Sequence, residues 1–152
     1  MTNTINVGIG GLGAIGMPVA RWLDAGVTGL RLAGVSAGNK ERAAQRVSDF
    51  ASPPPVLDLA ELVTASDVLV EALPPQHFDE LADLTMAAGK KLIVLTLTSL
   101  LPRLDLVDKA TETGGQIIAA TGALVGFDAV RAAAKGEIYS VTMKTRKPPE
   151  GL

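Results

Sequence analysis

The sequence contains no cysteine, which removes several kinds of chemistry from consideration. Without thiols the chain has no disulfide framework, no thiolate nucleophile and no cysteine-ligated metal site. Histidine is nearly absent as well, since His77 is the only one. A lone histidine beside a predicted helix start is typical of an exposed polar residue, because no second ligand or orienting carboxylate accompanies it. We therefore predict no metal site and assign no catalytic residue in this chain.

Positive charge and long apolar runs are also scarce. The 14 Lys and Arg residues against 16 Asp and Glu residues give a net charge of −2, and no basic cluster exceeds residues 144–147. Binding of nucleic acid through phosphate neutralisation is therefore not expected. The sequence has no signal-peptide pattern and no apolar stretch of membrane-spanning length, so we expect a cytoplasmic protein without a membrane partner.

Aromatic residues make up only 3% of the chain, whereas hydrophobic residues make up 47% of its 152 residues. A core of this composition must be filled largely by Ala, Leu and Val, as in many α/β proteins. The length alone is that of one domain.

The stretch INVGIGGLGAIGMPVARWLD, residues 5–24, predicts a strand, a glycine turn and a helix. Two registers of the dinucleotide-binding fingerprint fit it, with glycines at 8, 10 and 13 or at 11, 13 and 16. We favour the second, because the first would consume the strand. In this register Gly11 permits the turn, Gly13 lets the backbone approach a diphosphate and Gly16 lets the helix pack on the strand. The alternative is a structural turn that binds no ligand.

The helix after this turn is predicted to begin near Ile15 or Gly16, because Pro18 is tolerated only in a first helical turn. Its free N–H groups and the positive end of its dipole would then face the phosphates, and Ala14 and Ile15 join the candidate cofactor contacts. The apolar pattern predicts four residues that face the sheet: Ile15, Val19, Trp22 and Leu23.

Strands and helices alternate along the rest of the chain to residue 135. Such alternation is typical of an α/β protein with a Rossmann-like, doubly wound parallel sheet. We predict strands at 30–35, 66–72, 91–97 and 116–120, a very short strand at 56–57, and helices at 40–50, 58–64, 76–88, 100–113 and 127–135.

The end of the second predicted strand bears on the choice of cofactor. A fold that prefers NAD usually places Asp or Glu here to bind the ribose 2′-hydroxyl, but this chain has Ser36. Asn39, Lys40 and Arg42 follow and are able to accept a 2′-phosphate, so we predict NAD or NADP as the cofactor, with NADP tolerated. The equally weighted alternative is that Lys40 and Arg42 are solvated helix residues.

Ligands of doubly wound sheets lie outside the carboxyl ends of the strands. Leu73 and Pro74 follow the third main strand, and Thr98 follows the fourth, so these three are candidate cofactor contacts. Glu71 ends the third strand. We interpret it as a structural hydrogen-bond acceptor rather than a catalytic acid.

Residues 138–145 alternate between apolar and polar side chains, which predicts a half-buried strand. Because nothing after this strand can cover its apolar face, we predict a dinucleotide-binding domain at 1–136 and, at 137–152, the start of a second α/β domain for substrate binding and dimerisation, most of which is lacking. The uncovered apolar face favours a homo-oligomer.

Several stretches resemble the L-aspartate dehydrogenases, and together they span essentially the whole chain: GLGAIG (11–16), LAGVSA (32–37), DVLVEALP (67–74), TGALVGFDAVRAA (121–133) and VTMKTRKPP (141–149). The resemblance implies NAD(P)-linked oxidative deamination of L-aspartate to iminosuccinate, which hydrolyses to oxaloacetate and ammonia and in some members feeds NAD biosynthesis. It also implies that Ala123 contacts the cofactor.

Members of that family continue beyond the TRKPP motif into a domain that carries the active-site histidine and much of the substrate pocket. The resemblance therefore implies that this chain is the cofactor half of such an enzyme and is inactive alone. Two alternatives stay open. One is the cofactor domain of a homoserine-type or other amino-acid dehydrogenase, and the other is a non-catalytic dinucleotide-binding module.

Overall fold

The computed structural model describes residues 4–122, 126–144 and 146. The chain forms two compact units, Met1–Ala120 and Thr121–Leu152. Ala123, Thr145 and residues 147–152, on which several sequence predictions fall, lie outside the described residues. No helix in the described ranges is long and apolar enough to cross a membrane.

The first unit is built on a parallel five-stranded sheet in the order β2-β1-β3-β4-β5. Its strands are β1 (Ile5–Gly10), β2 (Leu30–Ser36), β3 (Val68–Glu71), β4 (Lys91–Val94) and β5 (Gln116–Ala119). Its helices are α1 (Gly16–Asp24), α2 (Lys40–Val47), α3 (Leu59–Ala65), α4 (Phe78–Ala87, preceded by a 3₁₀ turn at Pro75–His77), α5 (Leu97–Leu100) and α6 (Asp105–Thr113). The second unit contains α7 (Phe127–Ala133).

A single β-bridge extends the sheet beyond β2. Val56 lies parallel to Val35, whose N–H donates to the Pro55 carbonyl at 3.0 Å, while the Leu57 N–H donates to the Val35 carbonyl at 2.9 Å. The short strand predicted at 56–57 is thus reduced to one bridging position. With this bridge placed beside β2, the sheet has the six-strand order that is typical of dinucleotide-binding folds.

Two apolar cores cover the two faces of the sheet, so the predicted doubly wound architecture is confirmed. The first joins β1 and β2 to α1 and α2, and the second joins β3 and β4 to α3, α4 and α6. Their largest fully buried side chains include Ile9 and Val35 in the first core, and Leu62, Leu69, Phe78, Leu81 and Leu92 in the second.

Helix α1 begins at Gly16 as predicted, and its buried face was predicted in part. Leu23 is buried and Val19 packs against the first core as expected, whereas Ile15 and Trp22 do not face the sheet. Ile15 is 56% exposed and Trp22 is 57% exposed. The contact of Gly16 with β1 fixes the rotation of the helix, so positions four and seven residues further along meet the sheet. The buried residues of α1 are Gly16, Met17, Ala20 and Leu23.

Three other predicted elements differ from the structure. Strand β4 ends at Val94, and α5 and α6 divide the helix predicted at 100–113. The strand predicted at 138–145 is absent from residues 138–144, where Tyr139 is 88% exposed. A strand needs a neighbour to accept its backbone hydrogen bonds, and the described residues of the second unit supply none.

Glu71 fastens two loops to the carboxyl edge of the sheet. Its fully buried carboxylate accepts hydrogen bonds from the Leu73 N–H at 3.1 Å and the Leu95 N–H at 3.2 Å. Thr96 adds its N–H at 3.0 Å and its hydroxyl at 3.1 Å. Four donors compensate the desolvation of one buried carboxylate. The interpretation of Glu71 as a structural acceptor is confirmed.

An ion-pair network around Arg103 joins α4 to α6. The guanidinium donates to Asp79 at 2.7 Å, to Asp83 at 2.9 Å and to Asp105 at 3.0 Å, and Lys109 also pairs with Asp83. The hydrogen bonds from Arg103 hold the pKa of Asp83 and that of Asp105 below their ordinary value.

We predict that Arg103→Gln lowers the free energy of unfolding by about 1 kcal/mol at neutral pH, the upper end for exposed pairs, because one guanidinium serves three carboxylates. Since the folded pKa values of Asp83 and Asp105 are lowered, the stabilisation from these two carboxylates is complete above their ordinary pKa. It is lost as the pH falls through the lowered value. The difference between variant and wild type, measured by urea unfolding, should therefore persist to about pH 5 and shrink below about pH 4.

Arg21→Gln is the matched control, because Arg21 forms one exposed pair with Asp49. It should cost less than Arg103→Gln. A pH-independent difference for Arg103→Gln would contradict the electrostatic role of the network.

Candidate functional site

The turn between β1 and α1 is held by backbone contacts that only glycine allows. Gly11 has a φ of +96°, and a Cβ there would collide with the Ala72 carbonyl oxygen. The Gly11 N–H donates to the Ser36 carbonyl at 2.8 Å. A Cβ at Gly16 would collide with the Gly11 carbonyl oxygen and lie 3.3 Å from Ile9 Cγ2. These contacts press the start of α1 against the end of β1.

Gly13 differs from the two glycines that flank it. A Cβ at this position would meet no atom within 4 Å, so the backbone of Gly13 borders open space. Gly8 and Gly10, by contrast, belong to β1 and are packed under side chains of α3 and α4. The geometry agrees with the second register, in which the middle glycine lies where a ligand approaches.

The backbone amides of this turn are available to a ligand. The N–H groups of residues 12–16 donate no hydrogen bond to any residue that the structure describes. Ala14 and Ile15 are exposed at the start of α1, where the helix dipole adds a partial positive charge. Unpaired amides, positive potential and the open space at Gly13 fit a diphosphate group, so the residues present match a dinucleotide.

A cleft of about 340 Å³ lies beside this turn. It brings together four of the predicted cofactor contacts, Gly11, Gly13, Leu73 and Pro74, with parts of the loop after β2. The residues that line it are Gly11, Leu12, Gly13, Ala37, Gly38, Ala72, Leu73, Pro74 and His77. Ser36, a fifth predicted contact, lines an adjoining cleft of about 210 Å³ that shares Ala37, Gly38, Leu73 and His77.

The remaining predicted contacts lie elsewhere. Ala14 and Ile15 adjoin the cleft through the chain but do not line it. Thr98 is exposed on the short helix α5 and lines neither cleft. Ala123 lies outside the described residues.

Sequence reasoning missed several residues of the two clefts. His77 lines both, because the Pro75–His77 turn places it at the end of β3, and its N–H donates to the Pro74 carbonyl at 3.0 Å. Ala37 and Gly38 also line both. Their positions in the sequence could have identified them, because these residues follow strands whose carboxyl ends meet at one edge of the sheet.

A third cavity, of about 250 Å³, adjoins the turn on the side of α2. We call it the arginine pocket, and it is lined by Leu12, Ala37, Asn39, Arg42, Ala43 and Arg46. Arg46 Nη1 donates to the Leu12 carbonyl at 2.6 Å, which ties α2 to the glycine turn. Asn39 caps α2 by accepting the Arg42 N–H at 2.8 Å.

Comparison with known proteins places this geometry in a family. A family model described as homoserine dehydrogenase, NAD binding domain, matches residues 11–120, from the glycine turn to the end of the first unit. Two relatives are an L-aspartate dehydrogenase of Bradyrhizobium diazoefficiens, 40% identical over 99% of this chain, and L-aspartate dehydrogenase 3 of Bordetella bronchiseptica, 42% identical over 97%. The chain spans 54% and 55% of their lengths, about half of each.

Solved structures of lower identity share the fold. A UDP-N-acetylglucosamine 3-dehydrogenase from Acidithiobacillus ferrooxidans matches with a TM-score of 0.64 at 21% identity, over 88% of this chain and 44% of that one. Scyllo-inositol dehydrogenase from Lactobacillus casei, with bound NAD(H) and scyllo-inositol, matches with a TM-score of 0.65 at 13% identity, over 88% of this chain and 41% of that one.

The resemblance to L-aspartate dehydrogenases that the sequence motifs indicate is therefore confirmed. The amides and the open glycine fit the cofactor class that the family model names. The chain belongs to the family of homoserine dehydrogenase NAD-binding domains, and its cofactor is NAD or NADP.

Proposed function

We propose that this chain is the dinucleotide-binding part of an L-aspartate dehydrogenase. The observation that carries the proposal is the glycine turn, whose amides at residues 12–16 are unpaired beside an open Gly13 backbone. The choice of L-aspartate as substrate is supported by relatives of that name at 40% and 42% identity.

The glycine turn and the cleft beside it contact different parts of the dinucleotide. The amides of residues 12–16 bind the diphosphate, and Gly13 admits it at close range. Leu73 and Pro74 form an apolar wall on the other side of the cleft. Ser36 contacts the adenosine half, and Thr98, which follows β4, contacts the nicotinamide half. A bound nicotinamide would supply the acceptor for a hydride from the substrate Cα, and the role of this chain would be to orient the nicotinamide ring and exclude water.

A second candidate substrate is L-homoserine, because the matching family model bears that enzyme's name. The same turn and cleft serve either enzyme, since neither substrate contacts the diphosphate. The choice between L-aspartate and L-homoserine therefore depends on residues that contact the substrate and not on the residues that contact the cofactor.

The proposal includes a location and an assembly state. We place the protein in the cytoplasm as a homo-oligomer, with a dinucleotide-binding domain at 1–136 and a second, substrate and dimerisation domain that begins at 137. The support is the exposed apolar side chains of the second unit, Ile138, Tyr139, Val141 and Met143.

We predict that Gly13→Val weakens NAD and NADP binding by about a hundredfold or more, or about 2.7 kcal/mol, because a side chain fills the space that the diphosphate needs. The fold should be unaffected, since a Cβ at Gly13 meets no atom within 4 Å. Isothermal titration calorimetry measures the affinity, and the thermal unfolding midpoint measures the fold.

Gly136→Val is the matched control, because a Cβ at Gly136 also makes only an ordinary contact, 3.7 Å from the Ala133 carbonyl, and lies outside the cleft residues. It should bind normally. Unchanged affinity in Gly13→Val would refute the assigned register.

We predict that the full chain binds the dinucleotide but does not reduce it with L-aspartate. Hydride transfer requires the substrate and the nicotinamide to be held in a fixed relative orientation. The clefts described are proposed to bind the cofactor only. The measurement is the absorbance of reduced nicotinamide after addition of L-aspartate or L-homoserine. Reduction with L-aspartate would contradict the predicted inactivity, and reduction with L-homoserine alone would replace the proposed substrate.

We predict self-association of the purified chain. Sedimentation velocity at several protein concentrations should show a species larger than the 15.7 kDa monomer. Because the uncovered side chains are apolar, Val141→Lys combined with Met143→Lys should shift the chain towards the monomer. A wild-type chain that sediments as a monomer at every concentration would contradict this part of the proposal.

A further inference from the structure

The arginine pocket lies where the ribose of a bound dinucleotide would pass. It shares Leu12 and Ala37 with the cleft beside the glycine turn. Leu12 belongs to the turn that faces the diphosphate, and Ala37 directly follows β2. In doubly wound sheets the adenosine ribose lies at the end of this strand, with its 2′-oxygen towards the following loop.

The pocket is positively charged and has no acidic counterpart. The described residues that line it include Arg42 and Arg46 but no Asp or Glu. In the described part of the chain, neither guanidinium pairs with a carboxylate, whereas Arg21 pairs with Asp49 and Arg103 with three aspartates. The two pocket arginines therefore retain donors for an external anion.

The donors are held by local structure. Arg42 and Arg46 are four residues apart on α2 and so lie on one helix face. The bond from Arg46 to the Leu12 carbonyl fixes one guanidinium at the rim of the glycine turn. The side-chain oxygen of Asn39 accepts a hydrogen bond from the Arg42 N–H, so the side-chain NH₂ group of Asn39 remains as a donor.

We infer that the arginine pocket binds the 2′-phosphate of NADP and makes NADP the preferred cofactor of this chain; the inference rests on the proposed dinucleotide-binding function. Arg42 binds the phosphate directly. Arg46 also binds the 2′-phosphate, and its hydrogen bond to the Leu12 carbonyl connects this phosphate site to the glycine turn. Lys40, which the sequence also suggested, does not line the arginine pocket; it lines the adjoining cleft that contains Ser36.

The test compares two variants that each replace one arginine by glutamine, Arg42→Gln in the arginine pocket and Arg21→Gln, which lines none of the three cavities. Wild type and both variants are titrated with NAD and with NADP by calorimetry. Wild type should bind NADP at least about tenfold more tightly than NAD, as expected for a charge-assisted phosphate contact. Arg42→Gln should lose about tenfold in NADP affinity with NAD affinity almost unchanged, and Arg21→Gln should bind both dinucleotides as wild type does.

A second measurement needs no variant. Wild type should bind adenosine 2′,5′-bisphosphate about tenfold more tightly than adenosine 5′-monophosphate, because only the former carries the 2′-phosphate.

The outcomes distinguish failure of the 2′-phosphate site from failure of dinucleotide binding itself. If NAD binds and NADP is not preferred, or if Arg21→Gln and Arg42→Gln weaken NADP binding equally, the arginine pocket is not the 2′-phosphate site and the proposed function stands. If neither dinucleotide binds to wild type, the proposed function fails and the inference fails with it.

Discussion

The candidate site depends on two backbone contacts in which no side chain fits. Gly11 lies against the Ala72 carbonyl, and Gly16 lies against the Gly11 carbonyl. Together they draw the first turn of α1 onto the ends of β1 and β3. At this turn the N–H groups of residues 12–16 have no acceptor among the described residues. A fold-forming constraint thus produces a surface that favours an anion.

Glu71 imposes a second constraint at the same edge of the sheet. Its buried carboxylate holds the loops after β3 and β4 through donors from Leu73, Leu95 and Thr96. Removing a partner from such a group leaves a buried polar atom unsatisfied, which costs about 1–3 kcal/mol. Because these hydrogen bonds fix the loop backbone, they hold Leu73 at a position where it both packs against the second core and lines the cleft.

Much of this arrangement could be predicted from the sequence, and the exceptions have a common cause. The order of elements, the packing of Gly11 and Gly16 at the turn and the role of Glu71 follow from local patterns. The buried face of α1 could be predicted only in part, because apolar residues such as Trp22 occur on its exposed side and the contact at Gly16 decides the rotation. His77 and Arg46 were missed because their roles depend on tertiary position. The spacing of Arg42 and Arg46 was nevertheless visible in the sequence as a helical pair.

The residues that line the three cavities all lie between positions 11 and 80, in the segments that follow β1, β2 and β3. Each of these segments is fixed within the first unit: the turn by its glycines, the β3 loop by Glu71 and α2 by the Arg46 bond to Leu12. Under the proposed function, affinity for a dinucleotide therefore depends on contacts made inside this unit. A substitution at Gly13 or Arg42 is then expected to act on cofactor affinity alone, because neither residue is proposed to contact a substrate.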